Sequence, residues 1–201
     1  MAILRMNTEY LESARLEFLP APSRPPSPAA EVHVWRGTGT DPSDRLLRLV
    51  LARYLGEAPE EIEIARGAHG KPGLAAEPER LAFNLSHSGD LTLVAVSRGR
   101  EVGVDVERTR PERDLVALAE RALAPEEAVI VRAAAGDERT RVFYELWTRH
   151  EARLKCLGVG LAGAVAGPAP VAVEGLPIDP GYAAAVAVAG AAVPIRCWTL
   201  G

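Results

Sequence analysis

The sequence predicts an α+β protein built from two related halves, and three observations carry that expectation. The hydrophobic period switches from helical to strand-like and back along the chain. A turn followed by an alternating strand, SGDLTLVAVS, is echoed late in the chain by DPGYAAAVAVA. A Pro/Ser-rich stretch from Leu19 to Ala30 sets off the first residues. The expected organisation is an N-terminal extension and linker over 1–30, an N-terminal half over 31–108 and a C-terminal half over 109–201. At 201 residues, 48% of them hydrophobic, the chain is long enough for one large core or two smaller ones.

In order along the chain, residues 1–19 read as a short amphipathic helix and LPAPSRPPSPAA as an extended linker. Val32 to Trp35 reads as a strand. Asp41 to Leu55 reads as a helix, because Leu46, Leu47, Val50, Leu51 and Leu55 repeat at helical spacing and Gly56 follows as a stop. LAFNLS and LTLVAVS are short strands around the turn SHSGD, and EVGVDVE is a third, which predicts an antiparallel meander. Helical patterns then run over 115–123, 125–135 and 139–157, the last closed by Gly158. Strands return in AVAGPAPVAV, DPGYAAAVAVA and IRCWTL.

Composition excludes several classes. A net charge of -4 and a pI near 5.7 offer no Lys/Arg-rich stripe with which to release counterions from nucleic acid. Cys156 and Cys197 have no CxxC or Cys/His spacing, so neither a disulfide framework nor a zinc site is expected, and a reducing cytosol fits. The longest apolar stretch, Tyr182 to Val193, is too short to span a membrane and lacks the cationic start of a signal peptide. The expectation is a soluble, cytoplasmic protein.

The chemistry concentrates in a few acids and cations. Asp105 and Glu107 are two apart in the Val-rich GVDVE, so on a strand both leave from one face and can converge on one hard cation. Glu151 and Lys155 are four apart in WTRHEARLK and share a helix face. Lys71, in HGKPG, and Lys155 are the only lysines among 23 basic residues. Such a set is expected where Mg²⁺ holds a pyrophosphate and a base activates a nucleophile. Asp105, Glu107 and Glu151 are candidate metal ligands, with Glu151 also the candidate general base and Lys155 the cation that meets charge on the leaving group. Ser86 and His87, in the turn after the first strand of the hairpin, and Lys71 in its Gly-flanked loop are candidate phosphate contacts. Each has a plainer reading: solvated strand-end acids, an exposed i,i+4 helix pair, a turn histidine, a loop lysine. Trp147 reads as core packing, sharing an apolar face with Phe143 and Leu154.

In order and spacing, HGKPG, FNLSHSG, GVDVE and W-x-x-H-E-x-x-x-K followed by GxGL resemble the 4'-phosphopantetheinyl transferases of the long, monomeric surfactin-type class. The resemblance covers His69 to Leu161, and DPGY at Asp179 to Tyr182 is similar to the family's penultimate strand. It implies two pseudo-symmetric α+β halves with coenzyme A and Mg²⁺ in the cleft between them. It also implies transfer of 4'-phosphopantetheine from CoA to a serine of an apo acyl or peptidyl carrier protein, leaving 3',5'-ADP. Such carriers serve secondary-metabolite pathways, polyketide and nonribosomal peptide among them, or fatty acid biosynthesis.

The sequence departs from the family pattern at two places. His150 stands where lysine is usual, replacing a fixed charge by a group that titrates near neutrality. The stretch between the first strand and the first long helix is short, and Arg45 lies beside the position of a usual arginine, now Asp44. Arg45, Lys71, His87 and His150 are then the candidates for holding the nucleotide phosphates, and weak discrimination between CoA and 3'-dephospho-CoA is expected. The alternative function is a catalytically degenerate homologue that binds carrier protein or senses CoA.

Overall fold

The computed structural model describes residues 16–38, 43–67, 70–76, 81–111, 114–158 and 170–200. The helix expected over 1–19 lies outside the described residues up to Arg15. Beyond it Phe18–Pro20 forms a short strand, β1. Then come β2 (Val32–Thr38), α1 (Ser43–Leu55), β3 (Ile64–Arg66), β4 (Pro72–Leu74), β5 (Ala82–Ser88), β6 (Leu91–Ser97) and β7 (Val102–Arg108). The chain continues with α2 (Leu115–Ala122), α3 (Pro125–Ala133), α4 (Gly136–Leu157), β8 (Val171–Gly175), β9 (Tyr182–Ala189) and β10 (Ile195–Thr199). No helix among the described residues is long and apolar enough to cross a membrane.

Two sheets face each other. The larger has the order β1-β10-β2-β6-β5, the smaller β7-β9-β8, and β3 with β4 forms a separate hairpin. The last strand, β10, joins the larger sheet between two early strands, parallel to both β1 and β2. Between the sheets lies an apolar layer in which Val32, Val34, Leu91, Leu93 and Ala95 meet Val102, Val104, Val106, Ala184, Val186 and Val188. On the outer face of the larger sheet, Trp35, Val94, Val96 and Trp198 meet Leu47, Val50 and Leu51 of α1. β6 is covered on both sides, which is why its sequence is a nearly unbroken apolar run.

Around His33 the core carries a polar relay. Trp35 Nε1–H donates to the Tyr54 hydroxyl at 2.8 Å, which lies 2.7 Å from His33 Nδ1, while His33 Nε2 is 2.8 Å from Glu31 Oε1. Burial lowers the His33 pKa below its usual value, and in the neutral ring Tyr54 donates to Nδ1 while Nε2–H donates to Glu31.

α4 covers the outer face of the smaller sheet, where Ala152 and Cys156 rest on Ala185 and Ala187. Small residues permit that close approach, and Gly103 of β7 requires it. A Cβ at Gly103 would collide with the Ala152 carbonyl oxygen and the Cys156 amide. Gly103→Ala therefore forces β7 and α4 apart and is expected to destabilise the protein by about 1–3 kcal/mol, the usual range for overpacking. Urea denaturation of the purified variant measures it, and unchanged stability would contradict this packing.

The expected meander stops after its first hairpin. β5 and β6 pair antiparallel, but β7 pairs with β9 in the other sheet. The amides of β7 that face β5 are taken by β5 side chains instead of backbone carbonyls.

Candidate active site

The cleft lies where the edges of the two sheets meet under α4. β5, β7 and α4 line it with Leu85, Ser86, His87, Asp105, Glu107, Trp147, Glu151 and Lys155, enclosing about 400 Å³. Strand alternation puts Gly103, Asp105 and Glu107 on the β7 face toward α4, while Val102, Val104 and Val106 enter the core. On α4, Trp147, Glu151 and Lys155 follow one another at i, i+4 and i+8 and so share the face above the cleft. Gly158 ends this helix in the left-handed conformation at φ 67°.

Its centre is a tight polar cluster. Lys155 Nζ donates to Asp105 Oδ1 at 2.7 Å and to Ser86 Oγ at 2.9 Å. Ser86 in turn donates to Asp105 Oδ1 at 2.9 Å and accepts the Val106 amide at 3.3 Å. Ser88 repeats the device one step along, donating to Glu107 Oε2 at 2.9 Å and accepting the Arg108 amide at 3.0 Å. Two buried carboxylate oxygens, Asp105 Oδ2 and Glu151 Oε1, have no partner among the described residues.

Electrostatics match this geometry. Burial raises the Asp105 pKa above the ordinary carboxylate range, against the pull of Lys155 and Ser86. Glu151 is raised by burial and by the charge of Asp105, and Glu107 by burial with Asp105 adding to it. Three carboxylates thus crowd one cleft with a single ammonium hydrogen-bonded among them.

The other candidates lie elsewhere. Lys71 sits at the end of α4 away from the cleft lining, paired with Glu101 Oε2 at 2.5 Å and reaching the carbonyls of Val102 and Cys156 at 3.4 Å each. Arg45 is exposed on the first turn of α1 and does not line the cleft. His150 points along α4 to Trp147, with ring centroids 6.4 Å apart, and faces Glu127 of α3. Burial lowers the His150 pKa from its usual 6.5, so the ring is neutral through the physiological range. A pH term from His150 therefore falls on the acid side of about pH 6.5. Activity profiles of the wild type and His150→Lys should keep a constant ratio above that pH, and the ratio should change only below it, where the protonated ring comes to resemble lysine. A ratio that went on changing up to about pH 8 would contradict the burial. Trp147 has a double part, stacking on Phe143 at 5.6 Å and lining the cleft.

Reading the sequence singles out Ser86 and His87 but not Asn84 or Ser88. The signal for them is present: in AFNLSHS the polar residues Asn84, Ser86 and Ser88 recur at period two, so they share the face turned to β7. His87 faces away from that row and is exposed at the cleft mouth.

Comparison with known proteins places this geometry in a family. Residues 101–174 match the 4'-phosphopantetheinyl transferase superfamily, and residues 43–99 match the N-terminal region of 4'-phosphopantetheinyl transferases. Together the two stretches cover more than half of the chain. The 4'-phosphopantetheinyl transferase HetI of Nostoc sp. is 39% identical over 119 residues, 58% of this chain and 50% of that protein. A 4'-phosphopantetheinyl transferase of Bacillus subtilis is 34% identical over 119 residues, 59% of this chain and 51% of that protein. The 4'-phosphopantetheinyl transferase AcpT of Escherichia coli strain K12 is 38% identical over 111 residues, 55% of each chain. The chain spans about half the length of the curated relatives it matches. Its α+β architecture and its matching segments agree: this chain belongs to the 4'-phosphopantetheinyl transferase superfamily.

Proposed function

We propose that this protein transfers 4'-phosphopantetheine from coenzyme A to a serine of an apo acyl or peptidyl carrier protein, with release of 3',5'-ADP. The observation that carries the reading is the cluster of Asp105, Glu107, Glu151, Lys155 and Ser86 in one cleft, inside a chain of this superfamily.

A divalent cation fits the donor chemistry. Among the described residues no group of three His, Cys, Asp or Glu is gathered closely enough to form a ready-made metal site. Even so, the cleft holds two buried carboxylate oxygens without partners, on Asp105 and Glu151, and Glu107 beside them. All-oxygen donors of this kind suit Mg²⁺. Asp105, Glu107 and Glu151 would hold it, and the ion would supply positive charge to the pyrophosphate oxygens as the bond breaks.

The protein's own groups account for the remaining steps. Glu151 takes the proton of the carrier serine. A carboxylate in the cleft lining beside Lys155 is the kind of group that general base catalysis requires. The serine Oγ forms a bond to the phosphorus of the phosphopantetheine group, the bond from that phosphorus to the bridging oxygen breaks, and the electron pair leaves on 3',5'-ADP. Lys155 has three donors and uses two on Asp105 and Ser86. The third is free to meet charge growing on the leaving group. Ser86 and Asp105 fix the ammonium in place, so little reorganisation remains for the reaction. His87 at the mouth offers a further donor to the nucleotide phosphates. Arg45, Lys71 and His150 are not among the residues that line the cleft.

Chromatography of the reaction mixture tests the reading. 3',5'-ADP should accumulate only when protein, CoA, Mg²⁺ and an apo carrier protein are all present. Its formation without carrier, or its absence with every component supplied, would contradict transfer.

A further inference from the structure

β5 and β7 run side by side, each at the edge of its own sheet, and no backbone ladder joins them. Three side chains of β5 stand in for the missing ladder. Asn84 Oδ1 accepts the Val104 amide at 3.0 Å, Ser86 Oγ the Val106 amide at 3.3 Å and Ser88 Oγ the Arg108 amide at 3.0 Å. The rungs advance two residues at a time on both strands, so the two edges are held in register by side chains alone.

The two serine rungs have a second use that the asparagine rung lacks. A hydroxyl has one proton, and its rotor points where its acceptor side is not engaged. In both serines a β7 amide occupies the acceptor side. The proton is thereby turned toward the acid that precedes that amide: Ser86 toward Asp105, Ser88 toward Glu107. Opposite Asn84 the corresponding position is Gly103, and there is no acid to hold. Asp105 is held by Lys155 as well. Ser88 is the residue seen to hold Glu107, and it occupies Oε2 and leaves Oε1 for the cleft.

We propose that Ser88 is a positioning residue, through which the larger sheet fixes the Glu107 carboxylate of the neighbouring sheet as a cation ligand. A glutamate side chain loses several rotatable bonds when it is fixed, and Ser88 removes that freedom before the ion arrives. The inference rests on the cation reading given above. It explains why a small hydroxyl residue follows His87, where a strand one residue from a tight turn would tolerate many side chains.

Mn²⁺ is the probe, since it accepts the same oxygen donors as Mg²⁺. The full chain is titrated with Mn²⁺ in the presence of CoA while free Mn²⁺ is followed by electron paramagnetic resonance, and thermal melting is recorded without divalent ions. Ser88→Ala should weaken Mn²⁺ binding about tenfold, the lower end of the loss seen when a hydrogen bond to a metal ligand is removed. Ser88→Thr keeps the hydroxyl on the same Cβ and should bind like the wild type. A Ser88→Ala protein that melts at a lower temperature but keeps its Mn²⁺ affinity would make the rung structural only and overturn the proposal. So would a Ser88→Thr protein as weak as Ser88→Ala. Failure of the wild type itself to bind Mn²⁺ would overturn the cation reading, and this inference with it.

Discussion

Asp105→Ala should lower the rate of phosphopantetheine transfer by at least about two orders of magnitude, the usual cost of losing a fixed electrostatic group at a reaction centre. The loss comes from two sources. One carboxylate oxygen, Oδ2, is buried without a partner among the described residues and is withdrawn from any cation; the other, Oδ1, is the common acceptor for Lys155 and Ser86 and fixes both. Without it Lys155, which is 30% exposed, can turn to solvent and no longer meets the leaving group in a set position. The fold should survive, because the Asp105 pKa is raised by burial, and a group whose ionised form is disfavoured in the native state contributes no stability by being charged. Steady-state transfer by the purified, folded variant checks this, and near-normal turnover would remove Asp105 from the site.

Glu151→Gln should separate activity from stability. Transfer should fall by about two to four orders of magnitude, the range attributed to a general base. In the absence of divalent cations, however, the variant should melt at a higher temperature than the wild type at pH 7 to 8. The sign follows from the raised pKa of Glu151. Between the usual carboxylate pKa of 4.5 and the raised folded value, the native state binds more protons than the unfolded chain, so stability falls as pH rises through that window. Above it the penalty is complete, and glutamine abolishes it. The same penalty is what a bound cation relieves, so Mg²⁺ should raise the melting temperature of the wild type more than that of Glu151→Gln. Calorimetric scans at neutral pH with and without Mg²⁺ measure all of these. A variant less stable than the wild type without Mg²⁺ would contradict the electrostatic account of the cleft.

The carboxylates were legible because their spacing matches their elements. Period two on a strand with valines between them places Asp105 and Glu107 on one face, and four residues on a helix align Glu151 with Lys155. The same helical geometry leaves His150 beside Trp147 and near Glu127 and not among the residues that line the cleft, which its position in the motif conceals. What a strand pairs with is a different matter. The period of β7 says that one side is buried, but nothing in it says that β9, far along the chain, takes its hydrogen bonds, or that Asn84, Ser86 and Ser88 take those on the other edge. Lys71 reads as a loop lysine open to a phosphate, and only the fold brings Glu101 and the end of α4 to it. The strands β1, β3 and β4 are three residues each, too short to show a period at all.

Intact mass measurement of an apo carrier protein, before and after incubation with this protein, CoA and Mg²⁺, tests the central claim most directly. The account predicts that the carrier gains the mass of one phosphopantetheine group, that the gain requires the carrier's acceptor serine, and that Asp105→Ala and Glu151→Gln nearly abolish it within the same incubation. A carrier of unchanged mass after prolonged incubation with the wild type would contradict it.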